Sequence, residues 1–123
     1  APMILTRRLL PIIRSQRGDI VFIGSTAGIR PALHHTAYCA SKYGLVGFAE
    51  SLRLEVQDDG IRVMVVSPGR MRTSLHASAG VNVDLAKHMD PTAVAKQVVN
   101  VLEMPQGSLV SHMVINRMEV GTT

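Results

Sequence analysis

The sequence predicts an α/β fold in which parallel strands alternate with helices, and three observations lead there. Two short runs, at 20–23 and 63–66, are apolar on successive residues, as strands covered on both faces are. One long helical pattern at 37–58 lies between them, and a helix joining two such strands gives a right-handed β-α-β crossover. A further helix and strand follow, so the order is α, β, α, β, α, β, half of an open parallel sheet.

In chain order, Met3, Ile4, Leu5, Leu9, Leu10, Ile12 and Ile13 recur at helical spacing between Thr6, Arg7, Arg8 and Arg14, and Pro11 should kink that helix or change its packing. Residues 16–19 form the turn that ends it, and the first strand leads into a loop at 25–36 with Gly28 and Pro31. Thr36 is the expected N-cap of a helix starting at Ala37, with Gly60 as the stop beyond its end. Leu45, Phe48, Ala49, Leu52 and Val56 form its apolar stripe. Gly44 and Gly47 each cost about 1 kcal/mol relative to alanine in a helix, which implies a close approach to the backbone there. Residues 61–67 make the second strand, ended by Pro68-Gly69 at its carboxyl edge. The polar stretch 74–88 is expected to be a mobile segment with one short helix. A helix opens at Asp90-Pro91-Thr92 and runs to about residue 103, and a last strand centres on 113–115.

Composition narrows the class. At 123 residues and 46% hydrophobic content, the chain is at most one domain. The formal charge of +4 is spread over helix ends and loops, including Arg7, Arg8, Arg14, Arg17, Arg70 and Arg72, without a basic block and with four aromatics, which argues against nucleic acid. The single cysteine, Cys39, excludes an internal disulfide and fits a reducing, cytoplasmic setting. No apolar run approaches the roughly 20 residues of a membrane span, and no signal-peptide pattern is present.

The chemistry concentrates in STAGIRPALHHTAYCASK, residues 25–42. Tyr38 and Lys42 are four residues apart on one helix, so phenol and ammonium share a face one turn apart. A phenol in water keeps its proton to about pH 10, and a cation about 4 Å away favours the phenolate, so Lys42 can tune Tyr38 for proton transfer. Alone, this spacing is also that of an ordinary surface pair. Its context raises it: Ser25 follows the first strand directly, and Ser67-Pro68-Gly69, with Thr73 four residues beyond Gly69, follows the second.

In order and spacing these features resemble the short-chain dehydrogenase/reductase family, in its single-domain branch, from residue 1 to about 90. The resemblance implies the C-terminal half of a Rossmann-like doubly wound parallel sheet, residues 1–123 forming part of one NAD(P)-binding domain whose glycine-rich N-terminal half is absent. No glycine-rich phosphate turn of the usual spacing occurs in the sequence. The resemblance further implies an oxidoreductase that moves hydride between NAD or NADP, undiscriminated, and a small carbonyl or secondary alcohol. Tyr38 is then the general acid/base and a coenzyme contact, Lys42 its partner and a ribose ligand, and Ser25 a donor to the substrate oxygen. Pro68, Gly69, Met71 (through its backbone) and Thr73 correspond to the motif that meets the nicotinamide carboxamide. The first and second helices resemble those that pair across a two-fold axis, so a homodimer or homotetramer is expected of the full-length protein. Two alternatives stay open: an epimerase or dehydratase of the extended branch, and a non-enzymatic nucleotide sensor or scaffold.

His34 and His35 precede Tyr38 on a loop that borders the substrate in relatives, and their expected place is the substrate rim or simply an exposed loop. His76, His88 and His112 lack metal-ligand spacing, and no metal site is expected. The segment from Leu75 to Met89 resembles a substrate lid. The chain made alone is expected to be inactive and poorly folded, with an open parallel edge.

Overall fold

The computed structural model describes residues 1–72 and 88–118. Among them the order is α1 (Pro2–Gln16), β1 (Ile20–Ile23), a 3-10 turn (Thr26–Gly28), α2 (Thr36–Val56), a second 3-10 turn (Gln57–Asp59), β2 (Val63–Pro68), α3 (Pro91–Leu102) and β3 (His112–Ile115). The strands form one parallel sheet in the order β1-β2-β3, with Ile20 opposite Val63 and Pro68 opposite Ile115. The α/β alternation therefore yields the parallel sheet expected from the two apolar runs.

β2 is central, and all six of its residues are buried. On one face Ile20, Phe22, Val63 and Val65 pack with Ala49, Leu52 and Val56 of α2, joined by Leu10 and Ile13 of α1. Phe22 and Phe48 meet edge to face with centroids 5.7 Å apart. Alternation turns Met64 and Val66 to the other face, and they are buried as well. β1 departs from the expectation of cover on both faces. Val21 is half-buried and Ile23 is exposed, and β1 pairs with β2 alone among the described residues.

Several local expectations are corrected. Thr36 is the first residue of α2, not its cap; His35 holds the cap position without a side-chain bond. α1 does end in the turn at 16–19: Arg17 takes the left-handed conformation at φ 49°, so that the Arg17 and Gly18 amides reach the carbonyls of Arg14 and Ile13. Gly44 and Gly47 face open space among the described residues, since a methyl group at either position would meet none of them within 4 Å, so no backbone approach by those residues accounts for them. The close approach is at Gly28. On α1, Leu10 and Ile13 pack on the core while Met3, Ile4, Leu5, Leu9 and Ile12 stay exposed, because apolar residues lie on more of the helix than the sheet can cover. Pro11 sits inside a continuous helix. Gly60 does end the long helical region, at φ 74°, and the Asp90 carboxylate accepts the Thr92 amide at 2.9 Å to open α3.

One buried side chain ties the amino ends of the strands together. Arg62, just before β2, donates from Nε (2.9 Å) and an Nη to the two oxygens of Asp19, just before β1. Its remaining N–H groups reach the carbonyls of Leu102, Met104 and Ser108, on the path from α3 to β3. The hydrogen bond to Asp19 raises the Arg62 pKa, against the opposing effect of burial.

Candidate active site

The candidate site lies at the carboxyl ends of β1 and β2, the edge at which open α/β sheets bind ligands. Ser25 stands two residues beyond β1, in extended conformation, and its Oγ accepts the Ala27 amide at 3.1 Å. The hydroxyl is thus the cap of the 3-10 turn. Because the oxygen only accepts in that bond, the O–H remains available to donate.

Tyr38 is in the first turn of α2, 43% exposed, and its hydroxyl has no protein partner among the described residues. Lys42, one turn on, is half-buried. Its Nζ donates to the Ile23 carbonyl at 3.3 Å, at the last residue of β1, and lies 5.7 Å from the centre of the Tyr38 ring. The ammonium is therefore anchored to the strand end beside the phenol, with donors left over. Gly28 brings the Ser25 turn against α2, since a Cβ there would stand 2.8 Å from the Lys42 carbonyl oxygen. The loop and the helix consequently meet at the lysine.

The second strand ends similarly. Pro68 is its last residue, and the Gly69 amide donates to the Ile115 carbonyl at 2.8 Å. A Cβ at Gly69 would lie 3.1 Å from Asn116 Oδ1, so the position is tight. Met71 forms an isolated parallel bridge with Met89 that uses the Arg72 amide and the Arg70 carbonyl. The amide and carbonyl of Met71 itself face the other edge. Thr73 lies outside the described residues, as do His76 and the lid segment up to residue 87.

Next to Ser25 and Tyr38 opens a cleft of about 680 Å³. His35 lines it through a ring held by the Leu33 carbonyl, which accepts from Nδ1 at 2.7 Å, and that ring meets Tyr38 edge on with centroids 6.2 Å apart. His34 takes a left-handed φ of 61° and is not among the lining residues. Sequence reasoning missed the rest of the lining that carries charge: Arg30, Arg70 and Arg117, with Asn116. The three arginines are 40 or more residues apart, and no local pattern marks them as neighbours. Among the described residues, no three side chains that could ligate a metal gather anywhere, and no helix is long and apolar enough to cross a membrane.

Comparison with known proteins accords with this geometry. The family model described as short chain dehydrogenase matches residues 1–84. Carbonyl reductase family member 4 of Xenopus laevis is 39% identical over 99 residues, 76% of this chain and 42% of that protein. The 3-oxoacyl-[acyl-carrier-protein] reductase of Bos taurus is 38% identical over 102 residues, 79% of this chain and 43% of that protein. The chain thus spans less than half the length of these curated relatives. Among solved structures, 4-hydroxyisoleucine dehydrogenase complexed with NADH superposes with a TM-score of 0.75 at 27% identity, covering 94% of this chain and 52% of that one.

Proposed function

The chain belongs to the short-chain dehydrogenase family, and on that premise we propose that the full-length protein is an oxidoreductase acting on a small carbonyl or secondary alcohol with NAD or NADP. The observation that carries the proposal is the placement of Lys42 Nζ at the end of β1, beside a tyrosine whose hydroxyl is left without a protein partner among the described residues. A phenol so placed can pass a proton to a substrate oxygen in reduction and take it back in oxidation. The Ser25 O–H donates to the same oxygen, where negative charge develops, and so stabilises the transition state more than the ground state. Lys42 keeps a positive charge next to the phenol and holds the end of β1 to α2.

The residues present fit a nicotinamide nucleoside. The spare N–H groups of Lys42 and the Tyr38 hydroxyl suit ribose hydroxyls, and the backbone amide and carbonyl of Met71, unbonded among the described residues, suit a carboxamide. Pro68 and Gly69 would shape that edge, together with Thr73. The coenzyme supplies or accepts the hydride. The NADH-bound relative supports a dinucleotide of this type without selecting between NAD and NADP.

In this reading residues 1–123 are the C-terminal part of one NAD(P)-binding domain, and the shorter span relative to the family's members supports it. The exposed apolar face of α1, with Ile4, Leu5 and Ile12, and the open Gly44 and Gly47 on α2 are proposed to meet a second copy. The decisive experiment is Tyr38→Phe in the full-length protein. The fold should be retained and dinucleotide affinity should fall only slightly, by the loss of one hydroxyl contact, while carbonyl reduction falls by about 100- to 10 000-fold; near-normal turnover would refute the assignment.

A further inference from the structure

Resting on the oxidoreductase reading, we infer that the cleft beside Ser25 and Tyr38 selects substrates that carry an oxyanion, a carboxylate or a phosphate, near the reacting carbonyl. Arg30 lies two residues beyond the 3-10 turn, Arg70 directly follows the Pro68-Gly69 end of β2, and Arg117 lies two residues beyond β3. The sheet order brings these three sequence-remote segments to one cleft at the carboxyl edge. No aspartate or glutamate lines it among the described residues, so three arginines share the lining of one cleft without a counter-ion from those residues.

Their lack of partners is not general to arginines near the sheet. Arg62 is paired with Asp19, Arg14 with Asp59, and Arg72, two residues from Arg70, with Asp90. The side chains of Arg30, Arg70 and Arg117 make no hydrogen bond or ion pair with any described residue. Guanidinium groups match carboxylate and phosphate oxygens in pairs of parallel N–H···O bonds, and like charges held together are relieved by such a ligand. Asn116 adds a side-chain amide whose oxygen lies against Gly69. Thr26 of the cleft wall is next to Ser25, and the His35 ring touches Tyr38, so an anion among the arginines leaves the adjoining carbon within reach of the proposed acid/base pair.

The test uses the full-length protein and matched ligands. Reduction of a short keto acid is compared with that of its methyl ester and of a keto phosphate of equal length, in wild type and in Arg30→Met, Arg70→Met and Arg117→Met. Wild type should prefer one of the two anionic substrates over the ester by at least about tenfold in kcat/KM, and each substitution should remove most of that preference while leaving the ester unaffected. Which anion is preferred identifies the source. Calorimetric titration with malonate and with inorganic phosphate, which needs no turnover, should show binding that the variants weaken. Equal kcat/KM for acid and ester with no anion binding would overturn the inference while sparing the oxidoreductase reading. Absence of all carbonyl turnover with anion binding intact would do the reverse. If the substitutions instead weaken dinucleotide binding equally with every substrate, the arginines serve the coenzyme diphosphate and the inference fails.

Discussion

Gly28 faces the backbone of Lys42 so closely that a Cβ on it would stand 2.8 Å from the lysine carbonyl oxygen and 3.0 Å from the carbonyl carbon. The Gly28 amide also closes the turn onto the Ser25 carbonyl at 2.9 Å. The spacing between the serine and the Tyr38 helix is therefore set where a side chain is missing. Gly28→Ala should cost about 1–3 kcal/mol, because backbone cannot yield as a flexible side chain can, and should lower kcat in the full-length enzyme. Thermal melting and steady-state rates would check both; unchanged values would mean that the loop position is not set there.

Gly44 and Gly47 should behave oppositely. With open space around each, alanine should add about 1 kcal/mol of helix stability to the isolated subunit. If a second copy packs on that face, the same substitutions should weaken assembly of the full-length protein, read by sedimentation velocity at micromolar concentration. A wild-type protein that is monomeric there would end the proposal of a helix-to-helix dimer.

Lys42→Met and Ser25→Ala should separate two roles. The first should reduce both turnover and dinucleotide affinity, since one ammonium serves the phenol and the ribose in the proposed site. The second should reduce kcat by about 100- to 1000-fold with little change in dinucleotide affinity. Dinucleotide fluorescence titration alongside initial rates distinguishes them, and loss of coenzyme binding in the serine variant would contradict its assignment.

The buried pair of Arg62 and Asp19 should be costly to break from one side. Asp19→Asn leaves a guanidinium, 6% exposed, without its counter-charge, and is expected to cost about 3–5 kcal/mol in denaturant unfolding. A change below about 1 kcal/mol would show that the carbonyls of Leu102, Met104 and Ser108 suffice for the charge.

Asp90 carries a pH dependence of known sign. The Thr92 backbone hydrogen bond lowers its pKa below the ordinary aspartate value. A carboxyl group depressed on folding stabilises the native state above its unfolded pKa, and that contribution is lost as pH falls through the lower folded value. The melting temperature of wild type minus that of Asp90→Ala should therefore be positive near neutral pH and shrink on acidification below about pH 4. A difference that stays constant across that range would exclude the carboxylate as the cap.

The alternation of elements was legible because β1 and β2 are short apolar runs bounded by Gly, Pro or Asp, and the neighbourhood of Ser25, Tyr38 and Lys42 because all three lie within 18 residues around one strand end. What could not be read depends on contacts across the sheet. The convergence of Arg30, Arg70 and Arg117 follows from strand order, which no local pattern encodes, and so their charges read as scattered. Gly44 and Gly47 suggested a close approach that the described residues do not make, whereas Gly28, in a loop where glycine is ordinary, is pressed against backbone. The left-handed cap of α1 fell to Arg17 although glycine follows it, since both the Arg17 and Gly18 amides find carbonyl acceptors in that arrangement.

The guanidinium of Arg62 has a consequence for how the molecule breathes. It bonds at once to the residue before β1 and to the segment between α3 and β3, while its own backbone leads into β2. The end of α3 cannot fray without stripping buried guanidinium N–H groups of their carbonyl acceptors, so helix and sheet open as one cooperative unit. Amide hydrogens in the last turn of α3 should consequently exchange with solvent at the slow rate of β2, while those of its first turn, capped only by the exposed Asp90, exchange early.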